Sequence, residues 1–137
     1  MSPVEFLDVA EGFQASTSEA ERRTSVSRSY YALFNLLMDF LSSRGIPFER
    51  RGRDHQRLAY YLTECGDRHA GEIASALRDL RRSRNHADYR MSLFFDDRRS
   101  RLAYQWARLA VNRFEALSAA GKETILDRLR ALPPPLD

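Results

Sequence analysis

The sequence predicts an all-α protein: an up-and-down bundle of four to five main helices in a single domain spanning residues 1–137. Three observations carry that expectation. Apolar residues recur every three to four positions through several long windows. No window shows the sustained apolar–polar alternation of a strand. Scarce glycines and prolines, six and five in number, sit where helices would begin or end.

Taken in order, Ser2-Pro3-Val4-Glu5 supplies an N-cap serine, a proline at the first helical position and a capping-box acid. A first helix follows to about Gln14. Ser18-Glu19-Ala20-Glu21 is a second capping-box signature, after which Val26, Tyr30, Leu33, Phe34, Leu37 and Leu41 recur at helical spacing. Gly45 and Pro47 stop that long helix, and residues 46–53 read as a basic, irregular loop. Asp54 can cap a third, short helix over 54–64, with Leu58, Tyr61 and Leu62 facing inward and Gly66 closing it. A fourth helix starts near Arg68, carries an apolar stripe of Ile73, Leu77 and Leu80 extended by Ala76, and reaches at least Ser83. Residues 91–97 read as a loop. The fifth helix has Leu102, Trp106, Leu109, Ala110, Phe114 and Leu117 on one side, with Gly121 as its C-cap. Residues 122–131 form a last short helix before Pro133-Pro134-Pro135. These stripes are expected to be core. The second and fifth helices are apolar enough to leave a face for a second copy, so a homodimer is expected.

Charge narrows the function classes. Residues 1–21 hold five acids and no Lys or Arg, so the rest of the chain carries all 22 basic residues against 14 acids. A basic body attracts phosphates. Only Lys122 is lysine and the other 21 are arginine, so no single arginine cluster is diagnostic by itself. No apolar run approaches the roughly 20 residues of a membrane span, so no membrane partner is expected. Residues 1–11 carry three carboxylates and no basic residue, unlike a signal peptide, and the expected compartment is the cytoplasm. Cys65 is the one cysteine; it and His69 have the spacing of a metal pair but no second pair nearby, so no metal and no cofactor are expected. A glycine-rich phosphate loop, HExxH and G-x-S-x-G are all absent from the sequence.

The densest polar stretch runs from Arg78 to Arg90, where the fourth helix's apolar stripe gives way to charge. On a straight helix Arg82 and His86 share a face, as do Arg78 and Arg82. Arg81 and His86 are five apart and point about 140° from one another. They meet only if the helix ends between them or if each faces the other's copy across a dimer axis. A histidine beside guanidinium groups suits metal-free RNA cleavage: imidazole moves a proton near neutrality and arginine stabilises charge growing on phosphate. The competing structural reading is an Arg–Asp network at a helix end, with His86 as a favourable C-terminal cation.

Ser27-Arg28-Ser29-Tyr30-Tyr31-Ala32-Leu33-Phe34, a basic loop leading to His55, and Arg84-Asn85-His86-Ala87-Asp88-Tyr89 together resemble the HEPN domain superfamily, over about residues 20–118. The resemblance implies a dimeric helical bundle, in many members an RNA-cleaving toxin of toxin–antitoxin or antiphage systems. A small nucleotidyltransferase is a common neutralising partner. It further implies an arginine followed after four to six residues by histidine, from both copies, in one interface cleft. Arg81 with His86 fits that pattern; the register that starts at Arg84-Asn85 instead puts Tyr89 at the second position. Arg81 or Arg84 would stabilise the phosphorane, with His86 moving protons and Tyr89 beside it. Arg82, Asn85 and Asp88 would orient the substrate, and Arg51, Arg53 and His55 would steer or line the same cleft. The alternative is a non-catalytic helical scaffold that docks a nucleotidyltransferase or another defence protein and uses residues 84–89 as structure or nucleotide-binding surface.

Overall fold

In a computed structural model, which describes residues 2–46, 48, 53–90 and 95–133, the chain forms α1 (Pro3–Phe13), α2 (Glu19–Ser43), α3 (Asp54–Glu64), α4 (Arg68–Tyr89), α5 (Asp97–Ala116) and α6 (Ala119–Arg130). No strand occurs among the described residues, and none of their helices is long and apolar enough to cross a membrane. Pro47, Arg51, Pro134, Pro135 and residues 91–94 lie outside the described residues.

Helix starts follow local chemistry. The Ser2 amide donates to Glu5 Oε2 at 2.6 Å, which satisfies an N-terminal donor that the helix itself leaves orphaned. Ser18 Oγ accepts from the Glu21 amide, but the Glu21 carboxylate takes the Ser16 hydroxyl at 2.8 Å, so only half of the second capping box forms. Asp67 and Asp96 cap α4 and α5 by accepting from Ala70 and Arg99 amides. Gly45 and Gly66 end α2 and α3 at φ 80° and 74°, a left-handed backbone that glycine adopts without a Cβ clash. At α3 the N-cap position falls on Arg53, and Asp54 is the first helical residue, fully buried.

Helix α2 is the axis of the bundle and packs against α1, α4 and α5, while α3 lies on α4. Val26, Tyr30, Leu33, Leu37 and Leu41 form its inward stripe and join Leu7, Leu58, Leu62, Ile73, Leu77 and Leu80 in one core. Burying each such leucine removes apolar area worth about 2 kcal/mol. Helix α6 closes the lower end through Ile125, Leu126 and Leu129, and Arg44 joins it by an ion pair with Glu123 at 2.7 Å.

Helix α5 corrects two expectations. Its core-facing stripe is Ala103, Ala107, Ala110, Val111 and Phe114, whereas Trp106 and Leu109 are 39% and 51% exposed. Small residues at i, i+4 and i+7 let the backbone approach its neighbours closely, so the larger side chains turn outward. Gly121 is not the C-cap of α5. The helix stops at Ala116, Leu117 is extended (ψ 138°), and Ser118 restarts the chain as α6 by accepting from the Gly121 amide at 2.9 Å.

Two buried arginines tie the α4–α5 connection to α2. Arg22 Nε donates to the Phe95 carbonyl and its Nη1 to the Ser16 carbonyl, both at 2.9 Å. Arg23 donates to the carbonyls of His86, Ala87 and Arg90 and pairs with Glu19. It thereby satisfies the carbonyls at the end of α4 with a cation, where the helix dipole favours one.

Candidate functional site

The fourth helix does not leave the core where its sequence turns polar. Arg84 and Ala87 continue the inward stripe, and Arg84 is only 6% exposed. A guanidinium is tolerated there because it lies against aromatic faces. Arg84 Cζ sits 5.4 Å from the ring centres of both Tyr30 and Tyr31 and 5.6 Å from that of Tyr89. Arg84 Nη1 donates to the Tyr89 hydroxyl at 3.0 Å, and the Asp88 carboxylate stands 3.9 Å away.

Three elements meet around this group. From α2 come Tyr30, Tyr31, Phe34 and Arg28, whose guanidinium lies 5.7 Å from the Tyr31 ring centre. From α3 comes His55, stacked on Phe34 at 4.3 Å between ring centres and hydrogen-bonded through Nδ1 to the Tyr30 hydroxyl. From α4 come Arg81, Arg84 and, 71% exposed, Tyr89. Asp88 is half-buried at the edge.

The electrostatics are one-sided. The Nε atoms of Arg28, Arg81 and Arg84 are buried and unpartnered among the described residues. Among those residues Arg81 has no carboxylate within ion-pair distance, and Arg84 has only the distant Asp88. Burial pushes the Tyr30 hydroxyl well above the usual phenol range, with Arg81 and Arg84 acting weakly against it. Tyr30 therefore stays protonated and shares a hydrogen bond with His55 Nδ1. Burial, then the fields of Arg84 and Arg81, lower the His55 pKa from its ordinary 6.5. The imidazole is neutral at pH 7, and the Tyr30 bond is compatible with either of its tautomers. The cluster thus presents two guanidinium groups beside a neutral imidazole, with Asp88 at its edge and the buried Asp54 next to His55 as the nearby carboxylates.

A pH effect follows. The unfolded chain protonates His55 more readily than the folded one, so this histidine's contribution is complete above 6.5 and is lost as pH falls below it toward the lowered folded value. The melting temperature is expected to fall between pH 7.5 and pH 5.5, and less steeply in His55→Gln; equal slopes for the two proteins would contradict this account of His55.

His86 lies elsewhere. Residues two apart on a continuous helix point about 160° from one another, and α4 runs unbroken to Tyr89. His86 faces α5, its ring centre 6.4 Å from that of Phe95, and its Nε2 is buried without a partner among the described residues. Burial, with the fields of Arg99, Arg90 and Arg23, lowers its pKa. The grouping of His86 with Arg81 or Arg84 therefore does not form within one chain. Arg82 shares the side of His86, as its spacing predicts, and is ion-paired to Asp79 at 3.2 Å. Asn85 is half-buried on α4, Arg53 is exposed at the start of α3, and Arg51 lies outside the described residues.

Sequence reasoning missed Arg28, Tyr30 and Tyr31 as members of the site. The signal was the three-residue spacing of Arg28 and Tyr31, which puts cation and ring on one face. No family model, curated protein or solved structure matches this chain.

Proposed function

We propose that this is a HEPN-type protein that engages RNA through its phosphate backbone at the Arg81–Arg84–His55–Tyr89 cluster, with a homodimer as the working unit. The observation that carries the reading is a pair of guanidinium groups with buried, unpartnered Nε atoms beside a neutral imidazole, where Asp88, 3.9 Å from Arg84, is the one carboxylate within ion-pair distance of either arginine among the described residues. Phosphate oxygens are the acceptors this set lacks, and arginine presents its donors in a fork that matches them. The exposed Tyr89 ring adds a face on which an unstacked base can lie. The accompanying setting is a toxin–antitoxin or antiphage system with a small nucleotidyltransferase as the neutralising partner.

Cleavage is the narrower form of this reading. It requires a base for the 2′-hydroxyl, and within one chain the imidazole beside Arg81 and Arg84 is His55, whose Nδ1 is already engaged by the Tyr30 hydroxyl. That engagement favours binding without cleavage by a single chain, the scaffold form of the reading. A metal-free endoribonuclease would use Arg84 of one copy and His86 of another.

The test is fluorescence anisotropy of an end-labelled single-stranded RNA at 50 and 200 mM NaCl in EDTA, with the RNA run on a denaturing gel afterwards. Two guanidinium–phosphate contacts predict affinity falling roughly sevenfold across that salt step. Intact RNA supports the scaffold form, and cleavage that His86→Ala abolishes supports the nuclease form. Absence of saturable binding at 50 mM NaCl, or affinity indifferent to salt, overturns the proposal.

A further inference from the structure

On the side of α4 opposite the tyrosine cluster, α4 and α5 enclose a cavity of about 280 Å³ walled by Arg82, His86, Phe95, Arg99, Leu102 and Trp106. Its volume lies just below the range of roughly 300–1,000 Å³ typical of small-molecule sites. The walls divide by chemistry. Leu102 and the partly exposed Trp106 indole offer apolar and ring surface, while the Phe95 ring beneath them is fully buried against the Arg23 and Arg99 guanidiniums. Arg82 and Arg99 bring guanidinium groups, with Arg99 Cζ 5.8 Å from the Phe95 ring centre. The carboxylates nearby already hold other partners. Asp96 accepts the Arg99 amide, Glu19 accepts the Phe95 amide and Arg23, and Asp79 takes Arg82 in an exposed pair of little strength. Among the described residues Arg99 has no carboxylate within ion-pair distance. Burial first, then the fields of Arg99, Arg90 and Arg23, lower the His86 pKa.

We propose that this cavity is a second ligand site, independent of the RNA-binding reading, and that it takes a small aromatic anion: one ring bearing a phosphate or carboxylate, with the ring against the Trp106 indole and the acid on Arg99 and Arg82. A ring laid on the indole gains contact area and stacking, and at Arg99 the anion meets a donor with no competing carboxylate. The cavity is about half open, so the ligand enters directly from solvent.

Trp106 is the chain's single tryptophan, so its fluorescence reads this site alone. Phenyl phosphate is titrated against the full-length protein, with inorganic phosphate and phenol as charge-only and ring-only comparisons, and calorimetry as an optical-independent check. Expected is a saturable change with phenyl phosphate, at least about tenfold tighter than with either half-ligand. Arg99→Gln should weaken binding about tenfold, and Arg81→Gln on the opposite side of α4 should leave it unaltered. Arg99 is exposed, so its variant retains the fold; unchanged helical circular dichroism verifies this. Lack of saturation by about 10 mM phenyl phosphate overturns the proposal, as does equal affinity for inorganic phosphate or binding untouched by Arg99→Gln. Loss of RNA binding in Arg81→Gln with phenyl phosphate binding intact would show the two sites to be separate.

Discussion

Replacing Arg23 with alanine is expected to destabilise the protein by about 3 kcal/mol, the largest effect foreseen for a substitution outside the apolar core. One guanidinium holds the carbonyls of His86, Ala87 and Arg90 at 3.3, 2.8 and 3.2 Å, pairs with Glu19, and lies 5.1 Å from the centre of the Phe95 ring. Its removal strands buried carbonyls at the end of α4, where the helix dipole is negative, and leaves Glu19 with only the Phe95 amide. For a domain of this size the melting temperature should drop by roughly 10 °C. Lysine should recover only part, since a single ammonium cannot span carbonyls spaced for a planar fork. A drop smaller than about 2 °C would show that water replaces these bonds at little cost.

The second large effect concerns RNA. Arg81→Gln is expected to weaken single-stranded RNA binding about tenfold at low salt and to flatten the salt slope by about 0.7, the value for one lost phosphate contact. The Arg81→Gln/Arg84→Gln double variant should lose about 100-fold. Arg81 has no ion pair among the described residues, so its replacement leaves the fold intact. Arg84 is partly structural, wedged among three tyrosine rings. Arg84→Lys separates its roles: charge is retained, so the slope should persist, while the fork and ring contacts are lost and affinity falls. An Arg81→Gln protein with the wild-type dissociation constant and slope would remove the cluster from RNA binding.

Much of the fold was legible because its boundaries rest on local chemistry. Ser2-Pro3, Ser18, Gly45 and Gly66 act on backbone groups within a turn of themselves, so their positions alone place helix ends. The break at Leu117 was not legible: Ser118 begins a helix with no acid three residues on, and Gly121 beside it imitates a C-cap. The facing of α5 was misjudged because size was taken as the mark of burial, whereas close approach to the central helix selects Ala103, Ala107 and Ala110. The site was half legible. Helical spacing alone separated Arg81 from His86 and joined Arg82 to His86. The link from His55 to Tyr30 spans 25 residues and exists only once α3 has docked, so no local pattern announces it. Arg84 was legible as a charge, yet its burial depends on tyrosines from another helix that turn their faces toward it.

Cys65 gives this molecule a built-in reporter of breathing. The sulfur is buried at the end of α3, its thiol donating to the Leu62 carbonyl at 3.3 Å, and Arg128 of α6 reaches the Cys65 carbonyl at 3.5 Å. A thiol reagent in solution reaches it only when the junction of α3 and α6 parts. Since no other residue competes for the label, the modification rate counts those partings and gives the free energy of opening at one end of the bundle while the remainder stays folded.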